Sequence, residues 1–328
     1  MNINQADLNE LEFPELLSEI APFAFSPKTA DKIMELRPME IDEAEISLKK
    51  TAEFLTSFES STAIPFDEYE DIEEELKLMM IENFRLENKS FIKIKTITEQ
   101  IGKLQKFFPA LSETFPTLLN EVKDLEFRKE IIEKVDKVFN RFGEIKSEAS
   151  PILKTLRTEI QHARKTIDEN FNRALATHSD LLEDIRESII EDQRVLAVKS
   201  GFKKRINGRI LGISKTGSIT FIQPESVVNH YFKLKENQEE EKKEIDKILR
   251  KLTAEISEFQ LQLSDYQTYI FDLDLIRAKA KFAEKINGIL PKINRHQTLR
   301  LREAYHPLLW IRNLEEKKPI FPQTLSLT

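Results

Sequence analysis

The chain has no cysteine, a single tryptophan and only seven glycines in 328 residues. Without cysteine there is no disulfide scaffold, no thiolate zinc ligand and no cysteine nucleophile, a usage that fits a reducing cytosol. Scarce glycine leaves few tight turns and, with 33% charged residues, points to a helix-rich protein. No run approaches the ~18 consecutive apolar residues that a membrane span requires. Met1 to Asp7 shows neither the basic start nor the apolar stretch of a signal peptide. The expectation is a soluble, cytoplasmic protein with no membrane partner, long enough for two or three structural units and a sizeable core.

Catalytic constellations are missing as well. Gly212 and Gly217 have the spacing of the two P-loop glycines, but Ser218-Ile219 follows where Lys-Ser/Thr is required, and a strand pattern follows where a helix is required. The five histidines (His162, His178, His230, His296 and His306) are scattered, with no i, i+4 pair and no convergent carboxylates to make a metal site. Asp272 and Asp274 stand two apart on a predicted helix, where side chains diverge, and read as a solvated helix face. Phe107-Phe108 and the other phenylalanines sit at helical spacing and read as core.

What is present is organised helix. Residues 1–120 form a predicted helical core, with apolar steps of three and four in Leu8, Leu11, Leu16, Leu17 and Ile20 and again from Ile33 to Phe58. Prolines 22, 27, 38, 65, 109 and 116 end or restart its helices. Residues 121–191 read as outgoing helices. The longest runs from Pro151 to about residue 189, with Ser150 as N-cap and Leu153, Leu156, Ile160, Ala163, Ile167, Leu181 and Ile185 on one stripe; it would be ~58 Å long. Residues 226–300 read as the return helix, with Ile245, Leu249, Leu252, Ile256, Phe259, Leu263, Tyr266, Ile270 and Leu273 stepping likewise. Lys235 to Glu244 has no apolar residue and so no face to bury. Two such helices around a short excursion predict an antiparallel coiled coil; two ordinary helices of a bundle are the alternative.

The excursion, residues 192–225, carries the chemistry. Between Gln193 and Pro224 lie seven cations (Arg194, Lys199, Lys203, Lys204, Arg205, Arg209 and Lys215) and no Asp or Glu, in a chain of net charge −7. Four of the seven glycines fall in the same window: Gly201, Gly208, Gly212 and Gly217. Strand-like patterns cover Arg194–Val198, which alternates, Ile206–Ile213 and Ser218–Ile222, with Lys215-Thr216-Gly217 as a hairpin turn. Such an island binds polyanions, because a local field survives an opposite global charge over about one Debye length. A solvated basic loop is the plain alternative. The fold class is therefore mainly α: a helical core and two long antiparallel helices carrying a small basic β module at their tip.

That arrangement resembles the lever and clamp region of MutS-family proteins. Val195–Lys199, Gly208-Arg209-Ile210 and Ser218–Pro224 look like the clamp, although Gln223 stands where the family more often has glutamate. Phe271–Ala283 is similar to the helix returning through the family's core, and Arg302–Leu309 to the segment that opens its ATPase domain. Leu8–Phe13 and Leu36-Arg37-Pro38 are similar to the start of the second MutS-type family, the one outside mismatch repair. Phe13-Pro14-Glu15 and Phe282-Ala283-Glu284 fit the mismatch-reading Phe-x-Glu only as chance matches in helices.

The resemblance implies that residues 301–328 begin a truncated ATPase domain and that the chain stops short of the nucleotide site. No cofactor is then expected in these residues; ATP and Mg belong downstream, with homodimer formation and the Smr endonuclease domain usual in that family. It also implies a nucleic-acid clamp acting on branched DNA in recombination or on the RNA of collided ribosomes. Lys203, Lys204, Arg205 and Arg209 would neutralise phosphates, with Arg194, Lys199 and Lys215 as lesser candidates. Phe202 packs in the β module rather than stacking on a base. A coiled-coil scaffold whose basic tip meets an acidic protein surface is the competing function, and an enzyme the weakest reading of these residues.

Overall fold

The computed structural model describes residues 5–59, 62–296 and 298–327. The chain forms two compact units: Met1–Val135 with Ala254–Thr328, and Asp136–Thr253. It is mainly α, as its composition predicts. Among the described residues no helix is long and apolar enough to cross a membrane.

The first unit opens with α1 (Gln5–Glu10), α2 (Phe13–Ile20), α3 (Pro27–Met34), α4 (Ile41–Glu59), α5 (Glu73–Leu78), α6 (Asn88–Ala110), α7 (Pro116–Val122) and most of α8 (Lys129–Val138). Pro27 and Pro116 occupy first helical positions, where their missing N–H costs nothing. On α6, Phe91, Ile94, Ile97, Ile101, Leu104 and Phe108 are fully buried, and Phe107, Phe108 and Phe115 meet ring to ring, so the phenylalanine spacing marks core.

In the second unit α9 (Pro151–Thr177) leads into the four-stranded antiparallel sheet β1 (Leu182–Ile190), β2 (Gln193–Lys199), β3 (Gly208–Ile213) and β4 (Ile219–Pro224), in the order β1-β2-β4-β3. The chain then enters α10 (Glu225–Ser257). Ser150 caps α9 by accepting from the Leu153 N–H at 3.0 Å and donates to Glu244 at 2.7 Å. Arg157 reaches Glu241 at 2.8 Å, and Asn170 donates to the Ser226 carbonyl at 3.3 Å. Partner numbers fall as residue numbers rise, so α9 and α10 run antiparallel. The remainder of the first unit is α11 (Gln260–Lys285), β5 (Leu299–Ala304), α12 (Pro307–Glu315) and β6 (Gln323–Leu327), with β5 and β6 paired antiparallel.

Four sequence expectations need correction. The helix from Pro151 ends at Thr177, not near 189; Ile185, which fits its stripe, is 71% exposed in a bulge of β1. The return helix breaks at Glu258-Phe259 and ends at Lys285, although no Pro or Gly marks the break and the apolar stepping continues across it. The Lys235–Glu244 stretch is not solvated all round, because Asn237 is buried and Glu241 and Glu244 bond across to α9. Lastly, Asp274 is fully buried rather than solvated.

The Asp274 carboxylate accepts from the Phe25 and Ser26 N–H groups at 3.0 and 3.2 Å and from the Tyr69 hydroxyl at 3.3 Å. Arg277, one turn on, donates to the Phe23 carbonyl and lies 3.5 Å over the Phe25 ring. Burial, reinforced by Asp274, pushes the Tyr69 hydroxyl pKa up, so it stays a donor. A buried carboxylate is tolerated only when so satisfied, and here it gathers three segments distant in sequence. Asp272, half exposed, pairs with Lys32. Asp274→Ala should lower stability in urea by about 3 kcal/mol, and Asp272→Ala by about 0.5 kcal/mol. On the surface, hydrogen bonds from Lys28 and then Lys77 hold the Glu73 carboxylate at about 2. Its contribution to stability is present above its ordinary range and lost as pH falls through about 2. An NMR titration should find that low midpoint, and Lys28→Ala should raise it.

Candidate nucleic-acid interface

The small sheet is built on the helix pair. Ile167 and Phe171 of α9 and Val227 of α10 pack with Leu182, Leu196, Val198, Ile206 and Ile222 in one buried cluster. On the other face Val195 and Ala197 are also fully buried, so β2 does not alternate in burial as its sequence predicts. The sheet coils: a Cβ placed on Gly212 would lie 3.2 Å from Ile190 Cδ1, although β1 and β3 are opposite edges of the strand order. Glycine permits that approach. Coiling therefore covers both faces of the central strand.

Six of the seven predicted cations are exposed and, among the described residues, form no ion pair: Lys199, Lys203, Lys204, Arg205, Arg209 and Lys215. Lys203, Lys204 and Arg205 lie on a 3₁₀ turn, Ser200–Arg205, between β2 and β3. Phe202 packs half-buried against the helix-side cluster and Ile206 is buried within it, so the turn is pinned at two points while its cations face solvent. The Arg205 guanidinium sits 5.1 Å over the Phe202 ring. Phe202 thus packs in the β module as expected.

Lys215 is displayed by the β3–β4 turn. There Gly217 takes φ 74°, its N–H donates to the Ser214 carbonyl at 2.9 Å, and the Ser214 N–H donates to the Ile219 carbonyl at 2.9 Å. No helix follows Gly212–Gly217, only β4, so no phosphate-cradling helix end arises there. Arg209 stands on the edge strand β3, across the ladder from Gln223, which is buried and donates to Gln193.

Arg194 is different. Its guanidinium donates to Glu187 at 2.7 Å, Asp168 at 3.0 Å and Asn172 at 3.0 Å, and lies 4.3 Å over the Phe171 ring. Partial burial would lower its pKa, but the hydrogen bonds to Glu187 and Asp168 outweigh burial and hold it above the ordinary value. Two of its partners, Asp168 and Asn172, lie on α9, and Glu187 lies on β1, a strand whose sequence reads as helix. The acid-free window begins just after Glu191 and Asp192, and β1 also brings Glu183, Asp184 and Glu187 into the sheet.

Sequence reasoning also passed over Phe232. It is 62% exposed, off the buried stripe of Val227, Tyr231 and Leu234 on α10. Its departure from that stripe was the available signal. Among the described residues no group of three or more His, Asp or Glu is placed to hold a metal ion.

No family model matches the chain. It is similar over nearly its whole length to proteins named endonuclease MutS2. Identity is 27% over 328 residues to that of Clostridium kluyveri, covering 99% of this chain and 41% of the relative. It is 26% over 313 residues to that of Enterococcus faecalis, covering 94% and 40%, and 24% over 313 residues to that of Bacillus velezensis, with the same coverage. The chain thus spans about 40% of the length of these relatives.

Backbone geometry at the interface is testable through its glycines. A Cβ on Gly208 would stand 2.1 Å from the Gln223 carbonyl oxygen, whereas one on Gly201 meets nothing within 4 Å. Gly208→Ala should destabilise the second unit by about 2 kcal/mol, and Gly201→Ala should stay within about 0.5 kcal/mol of the parent, both read by chemical denaturation.

Proposed function

We propose that this chain, a homologue of the MutS2 proteins along nearly its whole length, binds nucleic acid through the small sheet of its second unit. The observation that carries the reading is the set of six exposed cations that, among the described residues, form no ion pair, carried by the small sheet and its turns. Lys203, Lys204, Arg205 and Arg209 are the principal phosphate contacts, with Lys199 and Lys215 beside them; Arg194 serves to orient the sheet on α9. Gln223 supports the same reading. A glutamate there would bring a negative charge opposite Arg209, whereas the amide leaves that cation available. Such contacts position a phosphate backbone without reading sequence.

In the intact protein the second unit acts as a clamp, with α9 and α10 as its lever. The ligand is branched DNA during recombination or the RNA of collided ribosomes, met in the cytoplasm. The relatives are longer than this chain, and to residues outside it belong an ATP and Mg site that moves the lever, pairing of two subunits, and endonuclease chemistry of the kind the relatives' name states.

Affinity for a branched DNA or a structured RNA should fall steeply as salt rises, because each neutralised phosphate releases counterions. Replacing Lys203, Lys204 and Arg205 by Ala should weaken binding across sequences and make the log–log salt slope on B-DNA shallower by roughly 2.7 if each holds one phosphate. Arg194→Ala should leave that slope unchanged. A slope indifferent to the triple substitution, or affinity that barely changes from low to moderate salt, overturns the reading and favours a docking surface for an acidic protein.

A further inference from the structure

An open cleft of about 830 Å³ lies wholly within the second unit, walled by α9, the β1–β2 turn, the β3–β4 pair and the first turns of α10. Phe232 projects into its lining, the exposed aromatic that the helix-side core does not use. Besides the ion-paired Arg194, three cations share that lining: Arg164, Arg209 and Lys235. All three are exposed and none forms an ion pair among the described residues, though Glu239 feels the charge of Lys235. Of the carboxylates in the lining, Asp168 is taken by Arg194 and Glu239 by Lys242. Glu191 and Asp192 remain, on a turn where both adopt positive φ.

An aromatic face flanked by unpaired cations is the arrangement with which proteins hold single strands: the base stacks and the cations follow its phosphates. The volume is in the range of small-ligand sites and fits a nucleotide, not a duplex. Glu191 and Asp192 repel a continuous run of phosphates across the rim, yet they can accept hydrogen bonds from the exocyclic amines of a base. We propose that the cleft takes an unpaired nucleobase, stacked on Phe232, with its flanking phosphates on Arg164, Arg209 and Lys235. This rests on the nucleic-acid reading above and adds a preference for unpaired nucleotides, such as those at junctions, gaps and loops, over uninterrupted duplex.

The test uses the whole 328-residue chain, with fluorescence anisotropy on two probes at low salt: a mixed-sequence single strand and a blunt duplex of the same length. Phe232→Ala should weaken single-strand binding by roughly tenfold and leave duplex binding unchanged, while Phe232→Trp restores it. A bromouracil-bearing single strand should photo-crosslink to the peptide containing Tyr231 and Phe232. Equal losses on both probes, unchanged single-strand affinity, or crosslinks elsewhere overturn the proposal. The Lys203, Lys204, Arg205 triple-alanine variant separates the two readings. If it weakens both probes while Phe232→Ala weakens neither, the phosphate surface stands and the base site falls. If the unaltered chain binds neither probe, both fall together.

Discussion

Burial of one face of the four-stranded sheet against α9 and α10 is the interaction on which the second unit depends. A small sheet has too little apolar surface to stand alone. Here Ile167, Phe171 and Val227 supply the missing half of a core that Leu182, Leu196, Val198 and Ile222 begin. Because Phe202 and Ile206 also enter that cluster, the turn between them is drawn tight, and its three cations are held outward rather than left on a mobile loop. Exposure of charge at this site is thus a consequence of where the apolar side chains go.

The same packing decides which cations are available. Arg194 sits at the junction of β2 with α9, where Phe171, Asp168 and Glu187 surround it, and its charge is spent inside the unit. Lys199, Lys203, Lys204, Arg205, Arg209 and Lys215 lie beyond that ring of acids. Coiling of the sheet, permitted by Gly212 against Ile190, also brings the acidic β1–β2 turn to the cleft that Arg209 lines. Acidic and basic side chains therefore share that cleft, while Lys199, Lys203, Lys204, Arg205 and Lys215 lie outside its lining.

In the first unit a comparable economy operates through a single buried carboxylate. Asp274 on α11 receives the N–H groups of Phe25 and Ser26 and the hydroxyl of Tyr69, while Arg277 closes over Phe25. Segments separated by about two hundred positions are held by hydrogen bonds that satisfy this carboxylate. Burial of such a group favours one arrangement, since any slippage strands a charge away from water.

Much of this was legible from residue order alone. Apolar steps of three and four placed α9 and the single return helix that folds as α10 and α11, Ser150 and Pro151 placed the start of α9, and Gly217 placed the hairpin turn, because these are local preferences of backbone and side chain. The basic window between Gln193 and Pro224 was equally plain, since charge is a property of composition. Other features had no local signal. Ile185 and Leu181 match a helical stripe, yet pairing with β2 made Leu182–Ile190 a strand; strand pairing is a contact between distant residues. Nothing around Glu258 marks the break between α10 and α11. Asp274 looks like any helix-surface acid until Tyr69 and Phe25 arrive beside it. So the sequence by itself determined the helices, the turn and the position of the charge. Tertiary structure alone decided which acids stand next to which bases, and hence that Arg194 is ion-paired within the unit and that Phe232 faces a charged cleft, because burial and electrostatic partnership depend on neighbours in space.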